Sequence, residues 1–136
     1  MPERVALDSS ILAAMFFKED ASQRALDAVT EPDLITLDLA LAEVGNVAWK
    51  QVMLCDADRD LTLRALQKCQ IFISEACEVV RAEDLLVEAY EISIACKATF
   101  YDSLFLALAE REKVPLLTLD RKMFNKANSS HDVQLI

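Results

Sequence analysis

Five short stretches, each too brief to be a core helix, punctuate this chain of 136 residues. They are Arg4 to Leu7, Leu34 to Leu37, Glu78 to Val80, Leu116 to Leu119 and Val133 to Ile136. Runs of about four to eight residues read as strands, whereas helices need about ten or more. Most of these runs are continuously apolar rather than alternating, as in parallel sheets covered on both faces. The intervening segments have helical character: 11–17, 21–29, a helix with apolar residues at Leu41, Val44, Val47, Ala48 and Val52, then 59–73, 82–97, 101–113 and 121–127. Pro32 and Pro115 break the chain just before two of the strands. Strands alternating with helices predict an α/β fold, a parallel sheet with helices on both faces.

Two of the apolar runs end on an acid, Asp8 and Asp120, and two helices carry one near their start, Glu43 and Asp102. In a parallel sheet all four fall near one edge, where ligands of open α/β sheets sit. Carboxylates gathered beside apolar runs are costly without a positive partner. A divalent cation with oxygen ligands, such as Mg²⁺, answers that cost and points to phosphate chemistry. Ser9 or Ser10 is placed to cap the first helix and to support the metal. Asn46, three residues after Glu43, shares its helical face. Strand alternation places Thr118 on the same face as Asp120. Asp38 is expected to cap a helix, Asp84 to lie in a first helical turn and Asp132 in a surface loop. Trp49 and Tyr101 are expected in the core or an interface. His131, the only histidine, is too isolated to serve as a general base.

The formal charge of −9 argues against broad electrostatic binding of nucleic acid, which needs a basic face. It leaves room for a metal-dependent nuclease that binds its substrate weakly. With 54% hydrophobic residues, one Gly and three Pro, the chain is expected to form one domain over 1–136 without long linkers. No leader pattern or membrane-spanning stretch is visible, so a cytosolic protein is expected. Cys55, Cys69, Cys77 and Cys96 lack zinc-type spacing and read as buried free thiols.

Taken together, LDSS near the start, the LAEVGNVAWK helix, YDSLFLALAE, and LLTLDRKMF before a last strand resemble the PIN domain, and within it the VapC-type toxin ribonucleases. The resemblance covers nearly the whole chain. It implies a three-layer α/β/α sandwich around a five-stranded, mainly parallel sheet. It also implies Mg²⁺- or Mn²⁺-dependent cleavage of RNA, a homodimer and a protein antitoxin. By position, Asp8, Glu43, Asp102 and Asp120 match the acidic quartet of the family, with Ser9 or Ser10, Asn46 and Thr118 at supporting positions. Many members carry a further acid just after the Asp120 position. Here Arg121 and Lys122 follow, which makes one metal firmer than two and casts Arg121 as a phosphate contact. A Gly frequent before the YDS motif is also absent. The other readings are a housekeeping PIN nuclease and a non-catalytic PIN module.

Overall fold

The strand Arg4–Leu7 (β1) occupies the middle of a five-stranded sheet in this computed structural model, which describes residues 3–136. In chain order there follow α1 (Ser9–Phe16), α2 (Ser22–Val29), β2 (Asp33–Leu37), α3 (Leu39–Cys55), α4 (Arg59–Ala76) and β3 (Cys77–Val80). A 3₁₀ turn at Ala82–Leu85 leads into α5 (Leu86–Cys96), α6 (Phe100–Glu112), β4 (Leu116–Thr118), α7 (Arg121–Ala127) and β5 (Val133–Leu135). The strand order is β3-β2-β1-β4-β5, and every neighbouring pair is parallel. The chain works outward from β1 to β3, then crosses back to lay β4 on the other side of β1. The order therefore reverses between β1 and β4, and the crevice beyond their carboxyl ends is the position such folds offer a ligand.

The helices form two packing groups. On one side α1 packs against α2, α3 and α4; on the other α6 lies against β1, β2 and β4 and is covered by α5. Seven consecutive residues of α6, Ser103 to Ala109, are buried. A helix apolar all round belongs inside a fold, and α6 is held between sheet and α5. The apolar stretch Leu104–Ala109 is thus satisfied within the chain. The α5 stretch is different: Leu86, Val87, Tyr90 and Ile94 remain exposed.

Several expectations change in detail. The cap of α1 is Asp8 itself, which accepts from the Ser10 and Ile11 N–H groups, rather than a serine. The helix expected over 82–97 divides, because Leu85 leaves helical geometry between the 3₁₀ turn and α5. Asp38 makes no cap bond on α3; its carboxylate accepts from the Ala82 N–H at 2.9 Å and so ties the end of β2 to the turn after β3. Trp49 and Tyr101 are 55% and 59% exposed, so neither belongs to the core. Of the cysteines only Cys69 is fully buried, and all four are free. Among the described residues no single helix is long and apolar enough to cross a bilayer.

Candidate active site

β1 delivers Asp8 to the reversal point because its three preceding residues, Val5, Ala6 and Leu7, are wholly inside the core. Asp8 is itself 5% exposed, and the chain compensates it with hydroxyls. Ser10 Oγ donates to Asp8 Oδ1 at 2.5 Å, and Thr118 Oγ1 donates to Asp8 Oδ2 at 2.5 Å. Ser10 Oγ in turn accepts from the Leu119 N–H at 2.9 Å, and Thr118 Oγ1 accepts from the Asp120 N–H at 3.0 Å. The ends of β1 and β4 are therefore latched through side chains where the ladder stops. A residue the sequence reading overlooked helps from β2: buried Thr36 donates to the Leu7 carbonyl at 2.8 Å.

The other three acids arrive from helix starts. Glu43 lies in the second turn of α3 and accepts from Ser9 Oγ. Asp102 sits in the first turn of α6, where Thr99 is the N-cap and accepts from the Asp102 N–H at 3.1 Å. That Thr-x-x-Asp spacing is a legible helix-start signal. Asp120 caps α7 and accepts from the Met123 N–H at 3.0 Å. β4 ends at Thr118, so Thr118 meets Asp120 through its backbone rather than by strand alternation.

All four carboxylates line one cleft of about 560 Å³, together with Ser9, Ser10, Asn46, Lys50, Tyr101 and Phe105. Burial pushes Asp8 up to about 6 from 3.8, opposed by its bonds from Ser10, Thr118 and the Ile11 N–H, and reinforced by the charge of Asp102. Burial likewise raises Glu43; the Ser9 hydroxyl opposes this and Asp102 adds to it. Asp102 is raised by burial and then by Asp120, with Thr99 and the Lys126 charge pulling the other way. The acids thus repel one another across the cleft, an arrangement that a cation relieves.

Among the described residues, no three His, Cys, Asp or Glu side chains stand at the separation of a closed coordination shell. The donor set nevertheless suits a hard divalent ion. Mg²⁺ takes only one or two carboxylates and keeps its waters, and this cleft offers carboxylate oxygens, with burial raising Asp8, Glu43 and Asp102 above their ordinary range.

Arg121 is exposed and does not line the cleft. The basic side chain that does is Lys50, one turn beyond Asn46 on α3. Sequence reasoning passed over it because a lone lysine on an amphipathic helix reads as a solvated face. Its i, i+3, i+7 spacing from Glu43 and Asn46 was the available signal.

The PIN domain profile matches residues 5–129, across this whole arrangement. The chain belongs to the PIN domain family. It is 33% identical to Ribonuclease VapC3 of Pyrobaculum aerophilum over 124 residues, spanning 90% of this chain and 94% of the relative. Exonuclease VapC9 of the same organism is 26% identical over 136 residues, 100% of this chain and 95% of the relative. A toxin–antitoxin complex from Klebsiella pneumoniae contains a chain of the same fold, with a TM-score of 0.70 and 20% identity, covering 96% of this chain and 95% of that one. The PIN fold brings Asp8, Glu43, Asp102 and Asp120 to one cleft, with Ser9, Ser10 and Asn46 on its wall and Thr118 behind Asp8.

Proposed function

We propose that this single-domain PIN protein is a metal-dependent endoribonuclease and the toxin of a toxin–antitoxin pair. The observation that carries the reading is the convergence of four carboxylates at the β1–β4 reversal point, in a chain 33% identical to a ribonuclease. Asp8, Glu43, Asp102 and Asp120 would hold Mg²⁺ or Mn²⁺, one ion more firmly than two. When bound, such an ion supplies Lewis-acid polarisation of the phosphodiester and a lowered pKa for water. Ser10 and Thr118 hold both oxygens of Asp8 in place, and Ser9 does the same for Glu43. Asn46 and Lys50 extend from Glu43 along α3 and meet the substrate backbone, Lys50 as a point charge on a phosphate. The RNA would be met in the cytoplasm.

The purified protein is expected to cut RNA with Mg²⁺ or Mn²⁺ and to stop on chelation. Asp8→Asn should lower the rate at least about a hundredfold, the scale of a lost electrostatic contribution at a reaction centre. Cutting that survives both chelation and Asp8→Asn would sink the mechanism. The relative named as an exonuclease favours a second reading, attack from an RNA end. Circular RNA separates the two, since only an endonuclease opens it.

Two exposed apolar faces suit partners. One is α5, with Leu86, Val87, Tyr90 and Ile94; the other is the α3–α4 end, with Met53, Leu54 and Leu61. The reading puts a second copy on the α5 face and the antitoxin on the other. Light scattering should then give a dimer that Ile94→Glu splits; a wild-type monomer would remove the homodimer.

A further inference from the structure

The single histidine of the chain faces a thiol. His131 Nδ1 lies 3.8 Å from Cys96 Sγ and 3.0 Å from Ser130 Oγ, while Cys96 Sγ is 3.6 Å from Ser130 Oγ. On the other side of the ring, Nε2 lies 3.7 Å from a Glu110 carboxylate oxygen. Sulfur, imidazole and carboxylate in that order have the layout of a nucleophile with its base: a ring nitrogen within reach of the thiol, and a carboxylate near the far ring nitrogen. The groups come from separate elements, Cys96 from the end of α5, Glu110 from the last turns of α6, and His131 from the segment between α7 and β5.

This cluster shares no lining residue with the carboxylate cleft. It opens onto its own cleft of about 720 Å³, which Cys96, Lys97, Glu110, Lys126 and His131 help to line. A small molecule therefore has room at the sulfur. The other cysteines lack these conditions. Burial pushes Cys69 up to about 11, with the neighbouring Cys77 adding to it, and burial pushes Cys77 up to about 11 as well. Cys55 is exposed at the end of α3, and the thiol that faces the imidazole is that of Cys96.

We propose that Cys96 is a thiol–disulfide exchange site for low-molecular-weight disulfides, with His131 as its base and Glu110 as the positioning residue for His131. Nδ1 takes the thiol proton as Sγ attacks one sulfur of the disulfide in line. A bond forms between Sγ and that sulfur, the S–S bond of the reagent breaks, and its second sulfur leaves with the electron pair as a thiolate. That thiolate then takes the proton from the imidazolium. Cys96 is oxidised to a mixed disulfide, one thiol is released, and no further oxidant is needed. The inference stands apart from the nuclease reading, and its test uses no RNA.

The native full chain is treated with an aromatic disulfide, dithionitrobenzoate, whose released thiolate is read by absorbance. The adduct is then located by peptide mass spectrometry. One fast equivalent per chain is expected at Cys96, absent in Cys96→Ser and retained in Cys55→Ser. His131→Gln should slow it at least about tenfold, within the usual reach of a general base, and Glu110→Gln should slow it less. Oxidised glutathione should form its mixed disulfide at the same residue. A fast phase that maps to Cys55 overturns the proposal, as does a folded His131→Gln protein reacting at the wild-type rate. Mapping on the wild type needs no substitution, so it decides even if a variant fails to fold.

Discussion

Asp8 combines two properties that pull against each other: it is buried, and it is expected to bear charge. Its folded-state value of about 6 lies above the ordinary 3.8, so the fold holds the proton more tightly than the unfolded chain does. That contribution to stability is fully present below 3.8 and is lost as pH rises through about 6. In metal-free protein, Asp8→Asn should therefore gain on the wild type in unfolding free energy across that window, by about 3 kcal/mol at neutral pH. Denaturant melts at several pH values check this, and a pH-independent difference would show that Asp8 ionises freely in the fold. Lys50 is the complementary case. Lys50→Ala should raise KM with kcat little changed and flatten the salt dependence by about one counterion; an unchanged salt slope would remove Lys50 from the substrate path. Asp8 and Asp120 were legible in the sequence because they sit at the ends of apolar runs, where polar side chains stand out, and Glu43 and Asp102 because they lie near the starts of helices. Lys50 was not, since nothing local distinguishes it from other exposed lysines. Nor was the Cys96–His131 pair, whose members are 35 residues apart and meet only through the packing of α5 beside the last turn.

The helices carry their flexibility in unexpected places. The only glycine, Gly45, lies in the middle of α3 and has open space where a Cβ would go. Three helix ends that glycine usually closes are instead closed by Asp56, Lys97 and Lys113, each with φ near 56°. A side chain there costs energy that glycine avoids. Gly45→Ala and Lys113→Gly should each stabilise the protein by about 0.5–1 kcal/mol, read as a shift in the denaturant midpoint. Destabilisation by Gly45→Ala would mean that α3 needs its glycine for something other than folding. Element types were legible for the same reason the fold was: strand-length apolar runs and helix-length periodic segments differ in period. Boundaries moved where side chains intervened, as when Asp8 capped α1 at Ser9 and Leu85 broke the segment leading to α5. Composition alone does not separate a central helix such as α6, apolar all round, from one such as α5 that leaves apolar residues exposed.

At the scale of the molecule, the parallel sheet and its helical cover were readable, but the strand order was not. Periodicity says nothing about which strand lies beside which, and only the order β3-β2-β1-β4-β5 explains why the crevice opens next to Asp8. The latch that Thr118 makes with Asp8 joins residues 110 apart along the chain. Long-range pairing of this kind forms late in folding, and on a ribosome it waits for β4 to be made. Until then one edge of β1 is bare and Asp120, one of the four acids, has not been made. A nascent chain arrested before Leu116 emerges should be harmless to the very RNA that templates and translates it, and RNA cleavage by such an arrested chain would disprove this. Placing the two halves of the cleft so far apart thus acts as a timer: the cleft is complete only once β4 and Asp120 have been made.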